Sequence, residues 1–264
     1  MYCKMGKFVD KIANGKTVFG THTFWGGATT TEIYGEVGYD AVWIDTEHGA
    51  IDKAQLMNTI IGASASDMVT FVRVAWNDMV LAKPILEMGV DGVIFPMVLN
   101  AEEARKAVSA CRYPPEGVRG FGPCRAIRYG NMDVQEYIHK YSKKIWVVVQ
   151  IEHIKAVENL DEILKVEGLD AIIVGPCDLS GSMGLLAETK HPEVKRVMDE
   201  IAAKAKASGK PFGVSMGYDE EAVREWISRG ANMIFCDTDA SYIYNGSKAT
   251  LERLNNAVAY YQGK

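Results

Sequence analysis

The chain has 264 residues, 29 of them Lys or Arg and 34 Asp or Glu, giving a net charge of −5. Apolar residues make up 48% and charged residues 24%. This excludes a mainly disordered chain and, with no basic excess to meet phosphates, argues against nucleic acid as a partner. No apolar stretch approaches the roughly 20 residues of a membrane span; the run from Gly92 to Leu99 is short and broken by Pro96.

Taken in chain order, short apolar and β-branched segments predict eight strands, over 18–24, 41–45, 69–74, 92–97, 145–151, 171–174, 212–214 and 233–236. Several, such as IWVVVQI and AIIVG, are apolar without alternation, the pattern of strands covered on both faces in a parallel sheet. Helical spacing fills the intervals. Acid and base alternate over 102–108 as on a solvated helix face. Val194, Val197, Met198, Ile201 and Ala205 form one stripe over 193–208, ending at Gly209, and 220–229 ends likewise at Gly230. The connection 113–144 is unusually long. It is rich in Pro and Gly, is helical in pattern only over 133–141, and carries Arg119, Arg125 and Arg128. Eight strands alternating with helices predict a (β/α)8 barrel, taken as a single domain over 1–264. An open doubly wound sheet fits less well, because no G-x-G-x-x-G fingerprint is present.

Five cysteines, an odd number with no C-x-x-C pair, suggest a reducing compartment. Each reads as a small buried apolar residue. The start Met1-Tyr2-Cys3-Lys4-Met5-Gly6 has no apolar core of a signal peptide, so the cytoplasm is expected.

In such a barrel, chemistry sits at the C-terminal ends of the strands. Those ends carry Asp45, Glu47 and His48 after the second strand and Arg73 in the third. Gln150 and Glu152 lie at the fifth, Cys177 and Asp178 after the sixth, and Asp237 and Asp239 at the eighth. Gln150 and Glu152 are two apart and share a side, which turns His153 the other way. Arg73 in an apolar strand requires a partner. Glu152 and Asp178, from adjacent strands, are placed to converge, and such a pair repels unless a cation or a proton lies between them. Each also has a purely structural reading, as a helix cap, an ion pair or a surface histidine. The strands contain no lysine for a Schiff base, which favours metal-assisted carbonyl chemistry over amine catalysis.

Five blocks, W-I-D-T-E-H-G at 43–49, V-R-V-A-W-N-D at 72–78, R-Y-P-P-E-G-V-R-G at 112–120, V-Q-I-E at 149–152 and V-G-P-C-D-L-S at 174–180, resemble the HpcH/HpaI aldolase family. These are the class II pyruvate aldolases related to 4-hydroxy-2-oxoheptanedioate aldolase. The resemblance implies a (β/α)8 barrel with its last helix exchanged between subunits, in a homo-oligomer, a hexamer or a trimer. It implies that Glu152 and Asp178 bind Mg2+, Mn2+ or Co2+. Gln150 and the backbone at Cys177 and Asp178 would contact pyruvate, Arg73 the enolate oxygen, and His48, with Asp45 nearby, would transfer a proton. The family's second acidic residue matches Glu87, where Asp is usual, at the far end of its own barrel and so serving a neighbouring subunit. Cys177 stands where alanine is usual, and the segment 122–128 departs from the family's small-residue loop beside the acceptor.

The expected activity is a metal-dependent lyase that reversibly cleaves a 4-hydroxy-2-oxo acid to pyruvate and an aldehyde. Arg125 or Arg128 would bind a distal carboxylate on the acceptor. The base is either His48 or a water on the cation. The alternatives are a citryl- or malyl-CoA-type lyase, for which no basic cradle for the cofactor is evident, and a non-catalytic barrel that binds an oxo acid.

Overall fold

The computed structural model describes residues 2–262. Eight parallel strands close in sequence order into a barrel. They are β1 (Val18–Thr23), β2 (Ala41–Asp45), β3 (Val69–Arg73), β4 (Gly92–Phe95), β5 (Trp146–Ile151), β6 (Ala171–Val174), β7 (Phe212–Met216) and β8 (Met233–Thr238). All eight lie where the apolar runs predicted them. β4 stops short, and β7 and β8 run further than expected, into half-buried residues that continue no apolar run.

Period-2 alternation divides each strand between two cores. Val42, Ile44, Val72, Val149 and Val214 face the helices, while Trp43, Phe71, Trp146, Ile173 and Phe235 fill the interior. Aromatic rings of this size require glycine opposite them. A Cβ on Gly20 would lie 2.4 Å from the Phe235 ring.

The helix Tyr2–Ala13, which the sequence reading did not anticipate, closes the N-terminal end of the barrel. Its Phe8 is buried, with ring centroids 5.6 Å from both Phe71 and Trp146. The stripe of Pro192–Ser208 is buried as expected, and Gly209 and Gly230 end their helices with positive φ. Asp52, Asp78, Asn100 and Asp219 each cap the helix that follows through a side-chain oxygen. The long connection breaks into a 3-10 segment (Arg125–Gly130), one α-turn (Val134–Glu136) and a π-helical turn (Tyr137–Tyr141) in place of a single helix.

The last helix, Asp239–Tyr261, leaves the barrel after its first turn. Ile243, Tyr244, Leu251, Leu254 and Val258 on it are all more than half exposed. The side chain of Cys3 lies outside what is described. Cys111 is buried as expected, Cys236 is intermediate, and Cys124 and Cys177 are exposed, contrary to the reading of every cysteine as a core residue; these four are free thiols. No helix among the described residues is long and apolar enough to cross a membrane.

Candidate active site

The C-terminal rim of β2, β3, β5 and β6 gathers a continuous polar network. Asp45 and Arg73 are paired in register across β2 and β3. Asp45 is fully buried, and its Oδ2 accepts from Arg73 Nη2. Its Oδ1 accepts from the backbone N–H groups of Glu47 and His48, each at 2.9 Å. One carboxylate therefore both anchors the arginine and folds the loop that carries His48. Arg73 Nη1 lies 2.8 Å from Glu47 Oε2 and donates to Gln150 Oε1 at 3.3 Å. Gln150 Nε2 in turn donates to Glu152 Oε2 at 2.6 Å. Beneath the guanidinium lies the Trp43 ring, 5.2 Å from Cζ, a cation–π contact in a desolvated setting.

Glu152 is only 3% exposed. Its Oε1 accepts from Met97 N–H at 2.7 Å, and Met97 adopts a left-handed backbone (φ 53°) at the end of β4. Such strain in a residue with a side chain is tolerated where a contact of this kind compensates it. Burial pushes the Glu152 carboxyl up to about 7; the Met97 N–H pulls it back, and the negative charges of Asp178 and Glu47 push it further up. Burial also raises Glu47, against the pull of Arg73. Asp178 sits exposed in the first turn of the helix Pro176–Ser182, beside exposed Cys177. The acidic groups thus outnumber the one cation among them, and burial first, then the neighbouring negative charges, favours the neutral form of Glu152.

These donors fit a hard divalent cation, since Glu152 and Asp178 offer carboxylate oxygens whose mutual repulsion it would remove. Among the described residues no group of three or more His, Cys, Asp or Glu side chains gathers as in a closed metal site. Two carboxylates would leave the remaining coordination positions to other oxygens.

The structure brings Asp45, Arg73, Gln150 and Glu152 into one network, with His48 on the adjoining loop. The His48 side chain is 63% exposed, and its nearest carboxylate is Glu47, 4.0 Å away. His153 points away as strand parity required and caps the next helix, accepting from Lys155 N–H. Glu47 was placed at the rim by the sequence but given no role, although it lies two residues beyond Asp45 and strand parity assigns it to the same side.

Two expected site residues are elsewhere in this chain. Glu87 lies at the end of the helix Met79–Glu87, at the N-terminal end of the barrel as expected, where it pairs with Arg119 at 3.2 Å. Arg125, expected beside the acceptor, is buried at that same end. Its guanidinium donates to the Met88 carbonyl at 2.8 Å and to Ser64 Oγ at 2.6 Å, tying down two helix C-termini where free carbonyls need donors. Arg119, from the same loop, is fully buried over the Tyr113 ring and donates to Tyr137 Oη at 2.8 Å.

A parallel eightfold barrel with a buried polar network at its C-terminal mouth has that network where enzymes of this fold carry their active sites. Residues 25–245 match the family described as HpcH/HpaI aldolase/citrate lyase, and the chain belongs to that family. It is 32% identical over 248 residues, 93% of each chain, to a protein of Salmonella dublin named 4-hydroxy-2-oxo-heptane-1,7-dioate aldolase. The crystal structure of an HpcH/HpaI aldolase/citrate lyase family protein from Burkholderia cenocepacia J2315 superposes with a TM-score of 0.88 at 26% identity, covering 97% of this chain and 100% of that one. The citrate synthase SbnG superposes with a TM-score of 0.81 at 29% identity, covering 94% of this chain and 97% of that one.

Proposed function

We propose that the protein is a divalent-metal-dependent aldolase that reversibly cleaves a 4-hydroxy-2-oxo acid to pyruvate and an aldehyde. The observation that carries this reading is the buried Glu152 carboxyl, raised by burial and by the charge of Asp178 and linked through Gln150 to Arg73. That arrangement is poised to take up positive charge and to face a developing oxyanion. Glu152 and Asp178 would hold Mg2+, Mn2+ or Co2+, which supplies Lewis-acid stabilisation to the 2-oxo group when bound.

Cleavage breaks the C3–C4 bond of the substrate. The bonding electrons stay on C3 as the enolate of pyruvate, and the C4 hydroxyl loses its proton as the aldehyde forms. Arg73, fixed by Asp45 and Glu47, places a permanent positive group by the developing enolate oxygen, a contribution often worth about 3 kcal/mol. Gln150 orients the oxo acid while its amide stays anchored between Arg73 and Glu152. The backbone at Cys177 and Asp178 offers N–H groups to the substrate carboxylate. His48 is this chain's own base for the hydroxyl proton, and that proton or one from water then quenches C3.

The exposed face of Asp239–Tyr261 supports assembly into a homo-oligomer through this helix. Glu87, set at the far end of the barrel, would then serve only a neighbouring subunit's site.

The test is exchange of the pyruvate methyl protons with deuterium. Purified protein with Mn2+ is expected to catalyse exchange, and EDTA is expected to stop it. Exchange that persists in EDTA but is abolished by borohydride with pyruvate would replace the metal mechanism with an amine mechanism. Binding of pyruvate without exchange would leave a non-catalytic barrel.

A further inference from the structure

The Glu152 carboxylate is held from two strands. Gln150, its neighbour on β5, donates to Oε2 at 2.6 Å, and the Met97 N–H, beyond the end of β4, donates to Oε1 at 2.7 Å. Both oxygens are thereby fixed in a residue that is almost fully buried. The first donor is a side chain that also bonds Arg73. The second is a backbone group, and it reaches Glu152 through the way the chain leaves β4.

β4 ends at Phe95, which pairs with Val149 of β5. Pro96 follows and has no N–H to continue the ladder. Met97 is two residues on from that pairing, level with Ile151, and there the backbone turns left-handed, with φ 53°. A residue with a side chain takes this conformation at a cost, and a β-branched one rarely takes it at all. Met97 is kept in it from both sides. Pro96 and Val98 are buried. The Leu99 N–H donates to Glu103 Oε2 at 2.6 Å, and the Leu99 carbonyl accepts from Asn159 Nδ2 at 3.0 Å. Met97 itself is only half-buried, and its side chain belongs to neither hydrophobic core.

We infer that Met97 is a positioning residue for the metal-binding carboxylate, acting through the left-handed turn of its backbone and not through its side chain. This rests on the reading of Glu152 as a metal ligand and names what holds that ligand in place. Without the turn, the N–H swings away, and Oε1 is left buried with no donor and nothing to keep it in the ligand position.

Calorimetric titration with Mn2+ separates the two roles, because backbone and side chain rank the substitutions in opposite orders. Met97→Gly and Met97→Asn discard the apolar side chain but take the left-handed conformation readily, and both are expected to bind Mn2+ within about threefold of the unaltered protein. Met97→Val stays apolar but resists the turn. It is expected to weaken binding by at least about tenfold, the scale for losing a group that orients a metal ligand. Met97→Ala is expected to fall between them, and it takes the place of Met97→Val in the comparison if that variant does not fold. Met97→Val binding as tightly as the unaltered protein, or Met97→Gly and Met97→Asn binding no better than Met97→Val, overturns this inference alone. An unaltered protein that takes up no Mn2+ overturns the metal-site reading and this inference with it.

Discussion

Gly175 faces Glu152 so closely that a Cβ added to it would lie 2.7 Å from Oε2 and 3.0 Å from the Glu152 Cβ. The backbone of β6 is therefore part of the wall that fixes the carboxylate. Gly175→Ala is expected to push Glu152 off Gln150 and weaken Mn2+ binding by at least about tenfold, at an overpacking cost of roughly 1–3 kcal/mol. Calorimetric titration with Mn2+ and urea unfolding check the two effects separately.

Arg73 engages Asp45, Glu47 and Gln150 with one planar fork over Trp43. A lysine cannot span these three partners. Arg73→Lys is expected to keep the fold and Mn2+ binding but to slow pyruvate proton exchange by about 100-fold or more. An exchange rate within about twofold of the parent would remove Arg73 from the enolate.

Two buried groups link stability to pH in opposite senses. Glu152 is raised from 4.5 to about 7. Its protonation therefore stabilises the chelated protein fully below about 4.5, and that contribution is lost as pH rises through about 7. His22 is lowered from 6.5 to about 4, so its contribution is present above 6.5 and is lost as pH falls toward 4. Each gap is worth on the order of 3 kcal/mol. In EDTA, Glu152→Gln is expected to lose stability steadily as pH falls from 6.5 to 4.5, whereas His22→Phe is expected to gain it. Urea midpoints across that range read the two slopes, and parallel slopes would contradict the assignment.

Leu251, Leu254 and Val258 recur at helical spacing on the exposed length of Asp239–Tyr261. Leu254→Glu is expected to lower the oligomeric state in sedimentation velocity while leaving the far-UV spectrum of the barrel intact. An unchanged sedimentation coefficient would exclude this helix from the assembly.

The barrel was legible because each strand carries its own signal: a run such as Trp146–Ile151 has no alternative burial than between helices and interior. Parity along one strand likewise put Gln150 and Glu152 together and turned His153 away. Where partners come from distant strands, the sequence held less. His22 lies between Thr21 and Thr23 with nothing nearby to mark it. Its partners Ser215 and Asp237 arrive only when β8 closes onto β1. Glu47 was readable by the same parity, and only its burial against Arg73 reveals its weight. Arg125 looked free because its chain neighbours are turn residues. The loop folds back to the helix C-termini at the opposite end, and no local pattern encodes that path.

The N-terminal plug has a kinetic corollary. With Phe8 wedged under Phe71 and Trp146 and the interior filled by aromatic rings, the described residues leave the C-terminal rim as the side from which a ligand reaches the site. On the aldolase reading proposed above, an oxo acid bound against Arg73 and Gln150 would be covered by its aldehyde, so it would arrive first and depart last.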